Sequence, residues 1–270
     1  MHSHRTLPLI AILMAGGGTL SAQATADQAR LVFSVNAGFI PGTSGWRVID
    51  QPLVDDRFVD PVLVDSVTIT RRIRSSLAFG AKGIYFPGEH FGLMGEAQLI
   101  WLGFEDSCTR TAPTASDRNS AVCNDIDNAE TAGSAVLVGV GAVFRVNSRR
   151  TVSPYARAGI GGVISTHSSI RTIGRFPNAE NEPVEVEIYP DDATTRLTGA
   201  ATLGLGFTAA IGRGYQVRWE VTDRIVGVRG VSGPTVVDRV PPETSLRYHH
   251  LFGVEIGFDV VLERRRGRRY

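Results

Sequence analysis

Eight charged side chains stand in stretches where most neighbours are small or apolar: Lys82, Glu96, Arg145, Arg157, Arg218, Glu220, Glu255 and Asp259. Four are cations and four are anions. A charge carried into an apolar setting is costly unless it is paired and hydrogen-bonded, so the set is expected to neutralise itself. Cys108 and Cys123 lie in one polar segment and suit a disulfide in an oxidising compartment; no CxxC redox or zinc spacing occurs. His167 and Ser169 give a His-x-Ser spacing that could join a base to a nucleophile. No Glu sits at a matching strand position, and a loop His and Ser explain the spacing better. The acidic stretch Glu180 to Asp192 could hold a divalent cation through several carboxylates, but a solvated loop is the simpler reading. The expectation is therefore of no catalytic residue, no metal and no cofactor.

The elements that position the charges are strands. From Leu197 to Ile211 the apolar residues Leu197, Ala201, Leu203, Leu205, Phe207, Ala209 and Ile211 alternate with Thr198, Thr202, Gly204, Gly206 and Thr208. After Gly212-Arg213-Gly214 the alternation resumes, with Tyr215, Val217, Trp219 and Val221 against Gln216, Arg218, Glu220 and Thr222. The same pattern recurs over Leu31–Phe39, Leu77–Tyr85, Phe91–Phe104, Val136–Val146, Ser153–Ser165 and Tyr248–Leu262. About eight strands result, joined by connections that alternate long and short. The long connections are read as loops: one reaching about Arg74 with short strand extensions, then Glu105–Ser134, His167–Thr195 and Asp223–Leu246.

The chain opens with Arg5, an apolar run from Leu7 to Ala15 and small residues through Ala24, which reads as a secretory signal peptide over 1–24. Cleavage is expected after Ala24, with Ala22 and Ala26 as neighbouring sites. Residues 25–262 would form the folded body, and 263–270 a basic tail. The formal charge of +1 falls to zero without Arg5, which gives no electrostatic case for a nucleic-acid partner. No later run approaches the length of a membrane-spanning helix.

Alternation alone does not say which face meets lipid. The polar rows are mostly Gly, Ala, Ser and Thr, whereas a soluble exterior carries many Lys and Glu, and Lys82 is the only lysine. Tyr85, Phe91, Phe144, Tyr215 and Phe258 fall near the short-turn end of the apolar rows, and Phe39, Trp101 and Tyr248 near the long-loop end. Two aromatic girdles are the mark of a transmembrane barrel. The expected fold is all-β: an eight-stranded antiparallel up-and-down transmembrane β-barrel with four long external loops and short periplasmic turns.

In SPYARAGIGG, ATLGLGFTAAIGRGYQVRWEVTD and the aromatic-rich last strand, the chain resembles the small outer-membrane β-barrel proteins similar to the OmpA transmembrane domain and OmpX. Gly253, Ile256 and Phe258 partly match the terminal signal read by the barrel-assembly machinery, although a basic tail follows. The resemblance implies outer-membrane localisation, contact with membrane lipid and lipopolysaccharide, and an extracellular ligand or surface met by the loops. It also implies a choice for the interior charges: a static paired core, or a narrow gate in which Arg157 exchanges Glu96 for Arg218-, Glu220- or Glu255-linked arrangements. The rivals are an exported soluble ligand-binding barrel and a membrane-embedded lipid A hydrolase using His167 and Ser169, whose sequence then departs from that hydrolase pattern at Ile170-Arg171.

Overall fold

The periodic runs form strands that close on one another. The structure is a computed structural model, and it describes residues 30–55, 62–110, 117–146, 151–178, 180–191, 195–212, 214–234 and 243–263. The expected signal peptide and residues 264–270 of the tail lie outside the described residues. In chain order the elements are β1 (Arg30–Ile40), β2 (Thr43–Asp55), β3 (Val62–Ile73), β4 (Ser76–Phe86), β5 (Phe91–Ile100), β6 (Phe104–Arg110), α1 (Asp117–Asp127) and β7 (Glu130–Thr131). They continue with β8 (Ala135–Arg145), β9 (Val152–Ser165), β10 (Thr172–Pro177), β11 (Pro183–Tyr189), β12 (Arg196–Gly212), β13 (Tyr215–Val231) and β14 (Thr244–Glu263).

Eight strands make a closed antiparallel barrel in the order β1-β14-β13-β12-β9-β8-β5-β4, sealed by β4 on β1. Closure pairs every barrel strand on both sides and leaves no edge. The period of two sends one row outward and one inward. Outward, Val35, Val140, Ile160, Leu205 and Val254 are each more than half exposed, forming an apolar belt. At its margins Phe91 lies opposite Phe144, Tyr215 stacks on Phe258 at 5.7 Å, and Phe79 meets Trp101 edge-on at 5.3 Å.

Inward, the lumen is layered. At the short-turn end Val32, Ile84, Phe86, Met94, Val143 and Tyr155 pack together. The charged residues fill the middle. Above them Ile40, Ala78, Ile100, Leu137, Val163, Val226 and Leu251 form a second apolar layer.

The long connections correct the sequence reading, because each carries regular structure. The first is the hairpin β2–β3, whose alternation is hidden by register shifts at Ser44/Trp46, Val48/Gln51 and Leu53/Val54. A bulge adds a residue to one strand and flips the phase. Between Glu105 and Ser134 lie most of β6, α1 and β7; between His167 and Thr195 lie β10 and β11. The run expected as one strand over Phe91–Phe104 breaks at 101–103, where the barrel ends and β6 begins. The last connection is shorter than expected, since β13 continues to Val231 and β14 starts at Thr244.

Together these parts build a cap over the long-loop mouth. A sheet in the order β2-β3-β6-β7 and the pair β10-β11 enclose Trp46, Val48, Val67, Ile69, Val122, Ile126, Ile170, Phe176, Tyr189 and Val231. In α1 the inward residues Asn119, Val122, Cys123 and Ile126 repeat at three and four, which is the stripe of an amphipathic helix. Gly174 lets the helix lie close to β10: a Cβ there would come within 2.6 Å of Val122 Cγ1. The disulfide Cys108–Cys123 ties β6 to α1, with Cα atoms 5.3 Å apart.

Candidate functional site: the charged layer of the lumen

All eight sequence-selected charges are buried in the barrel, and seven of them form one contact system. Register brings them together. Lys82 lies opposite Glu96, Arg157 opposite Gly204, and Glu220 opposite Glu255. Two carboxylates directly opposite repel, but Lys82 Nζ stands 2.8 Å from Glu255 Oε2 and 3.4 Å from Glu220 Oε1, bridging them. Arg157 bridges a second pair, with Nη1 2.9 Å from Glu96 Oε2 and Nε 2.6 Å from Glu220 Oε1.

The Arg157–Glu220 contact depends on a missing side chain. A Cβ on Gly204 would fall 2.8 Å from both Arg157 Nε and Glu220 Oε1, so the glycine is the space the ion pair occupies. Tyr155 donates its hydroxyl to Glu220, and its ring sits 5.2 Å from the guanidinium of Arg218. Arg218 in turn holds Asp259 through Nη2 at 2.7 Å and Nε at 3.2 Å.

Arg145 does not join this system. It sits at the short-turn rim, donating to the Glu89 carbonyl at 2.7 Å, with its guanidinium 3.7 Å from the centre of the Phe86 ring. Its place is taken by Arg224, which sequence reasoning missed. Arg224 is fully buried; it pairs with Glu255, donates from Nε to Gln98 Oε1 at 2.8 Å and reaches Thr222 Oγ1 at 2.7 Å. Gln98 and Asn36 add hydrogen bonds to Glu255 at 2.6 and 3.1 Å. The signal for Arg224 was available: it continues the inward phase of Arg218, Glu220 and Thr222, and was lost when the strand was ended at Thr222.

With Arg224 in place of Arg145, four cations meet four anions in one layer. Such a layer is high-stakes, because in a low-dielectric interior each satisfied bond is strong and each orphan is costly. Arg157 Nη2, Arg218 Nη1 and Asp259 Oδ1 lack a hydrogen-bond partner among the described residues. A cavity of about 20 Å³ beside Arg218 and Asp259 has room for a single water.

His167 and Ser169 line one small cavity, and each has another hydrogen-bond partner. His167 Nδ1 is 2.8 Å from Thr166 Oγ1, while Ser169 donates to the Arg229 carbonyl at 2.8 Å. In the acidic stretch, Glu185 and Glu187 pair with Arg175 and Arg171, and Asp191 pairs with Arg196. Among the described residues no three His, Cys, Asp or Glu side chains gather as metal ligands.

A closed antiparallel barrel with an apolar outer wall and a self-neutralised charged layer across its lumen is a transmembrane β-barrel. The chain is similar to small outer-membrane barrels of known structure. Against OprG of Pseudomonas aeruginosa it shows 10% identity over 88% of this chain and 98% of that one, with a TM-score of 0.48. Neisserial surface protein A matches at 8% identity over 86% and 97%, TM-score 0.43, and the Yersinia pestis attachment invasion locus protein Ail at 11% over 87% and 99%, TM-score 0.39. No family model matches the chain, and no curated protein matches it.

Proposed function

We propose that this protein is a closed outer-membrane barrel whose working part is the folded cap it holds at the outer surface, in a structural or adhesive role without catalysis. The layering of the lumen carries this reading: the charged layer lies between two apolar layers, and the cap core stands over the upper one. Water crossing the barrel would have to part all three. Export on the signal peptide, insertion by the barrel-assembly machinery and contact of the belt with lipid and lipopolysaccharide belong to the same proposal.

A gated pore is the second reading, favoured by Arg157, which already touches Glu96 and Glu220 and whose Nη2 has no partner among the described residues. Conductance in planar bilayers separates the two. Heat-dependent gel mobility first establishes that wild type, Glu96→Ala and Arg157→Ala have folded. Silence in all three is expected of a closed barrel; discrete channels altered by either substitution would replace that reading with the gate.

A further inference from the structure

The cap contains a polar cleft of about 740 Å³ lined by side chains of both charges, among which Asp106 and Asp191 are already paired with Arg71 and Arg196. One wall is β10 with its lead-in. Arg171, Ile173 and Arg175 line the cleft, while the alternate residues Thr172, Gly174 and Phe176 are buried on the other side. Glu187 holds Arg171 through Nε at 2.9 Å, and Glu185 holds Arg175 through Nε and Nη2 at 3.0 and 2.9 Å. Neither glutamate lines the cleft, and the other guanidinium N–H groups take no part in those bonds. Both pairs are exposed, so they exchange partners at little cost.

The facing wall is the end of α1 and the segment behind it, with Asp125, Asn128 and Glu130; Glu130 holds Arg74 in an exposed ion pair that, like those of Arg171 and Arg175, exchanges at little cost. Asp125 acts on Arg175 electrostatically without an ion-pair contact between them. At the floor, Arg71 is 1% exposed, held by Asp106 and the Arg171 carbonyl, and its Nη1 has no hydrogen-bond partner among the described residues. A buried donor without an acceptor is costly and rare.

A simple anion in this cleft meets the carboxylate wall, and a simple cation meets the guanidiniums. A molecule carrying both charges satisfies both walls. We propose that the cleft binds a zwitterion of the phosphoethanolamine type, its phosphate on Arg171 and Arg175 and its ammonium on Asp125 and Glu130. Charge-assisted bonds to a phosphate suit guanidinium donors. The group could arrive as a free solute or as a lipid headgroup. This inference rests on the reading of the cap as the working surface.

The test uses the full chain refolded in maltoside micelles and titrated calorimetrically with phosphoethanolamine, phosphate alone and ethanolamine alone. A parallel arm uses protein in nanodiscs with and without phosphatidylethanolamine in added vesicles. Binding of the zwitterion, in either form, at least about tenfold tighter than of phosphate or ethanolamine is expected, with about a tenfold loss in Arg175→Gln and in Asp125→Asn. Response to the free compound names a solute, and response to the vesicles alone names a headgroup. Absence of binding in both arms, equal binding of phosphate, or indifference to both substitutions overturns the proposal. Conductance is read separately: a channel-forming protein that binds sinks only the closed-barrel reading, and a silent one that does not bind sinks only this inference.

Discussion

The barrel and the cap sort their side chains in opposite ways. In the barrel the apolar row faces out and ion pairs fill the middle; in the cap Trp46, Ile69, Val122 and Tyr189 face in, and Arg171, Arg175, Glu185 and Glu187 face out. The solvent makes the difference. Lipid accepts the belt at no cost, so the barrel must find its specificity inside, in directional bonds; water rewards burial, so the cap has an ordinary apolar core. Loss of a partner should therefore hurt most in the barrel lumen.

Glu220 is the sharpest place to break that contrast, since Arg157, Lys82 and Tyr155 all converge on it. Glu220→Ala should cost about 3–5 kcal/mol, the range for uncovering a buried partner. The measurement is urea unfolding in lipid vesicles followed by heat-dependent mobility. A cost below about 1 kcal/mol would mean that the layer is not the barrel's main internal constraint.

The belt gives the next effect. Val140→Arg places a charge at the middle of β8 on a residue 64% exposed to the outside, and should cost about 2–4 kcal/mol, as for a charge at the bilayer midplane. Thr109→Arg, on an exposed position of β6 in the cap, should stay within about 0.5 kcal/mol. Equal effects in vesicle unfolding would show that the two surfaces meet the same solvent.

Reduction of Cys108–Cys123 should act on the cap alone. The bond closes 15 residues, for which chain entropy gives at most about 3 kcal/mol. Limited proteolysis with and without reductant should quicken cleavage near α1 while gel mobility of the barrel stays unchanged. Loss of the barrel band on reduction would show that cap and barrel fold as one unit.

How far the sequence could be read follows the same division. Barrel strands were legible because lipid outside and a narrow lumen inside enforce strict alternation, from Leu31 to Phe39 as from Leu203 to Val221. The cap was not, because bulges in β2–β3 break the phase and because short strands such as β7 have no period to read. The helix could have been found in the three-four spacing of Asn119, Val122, Cys123 and Ile126, which the polar character of the segment hid. Of the charged layer, the strand interiors supplied Lys82, Glu96, Arg157, Arg218, Glu220, Glu255 and Asp259. What failed was at strand ends, where Arg145 was included and Arg224 omitted: an end is fixed by where neighbouring strands stop pairing, which one strand's own pattern does not contain.

Tyr189 offers the finest probe of the cap. Its side chain is buried, meets Trp46 edge-on at 5.6 Å and donates to Gln51 Oε1 at 2.8 Å. Burial pushes its phenol above the usual tyrosine range, because the phenolate would lose its water. The neutral form is thus favoured by folding, and its contribution is fully present below the unfolded pKa of about 10. As pH rises past that value the unfolded cap releases a proton that the folded cap retains, so stability falls toward the folded pKa. Cap protection against proteolysis should be level from about pH 7 to 9 and decline above about 10, and Tyr189→Phe should flatten the decline while losing the bond to Gln51. An alkaline decline of the same size in Tyr189→Phe would assign it to other groups and leave the cap core without a titrating member.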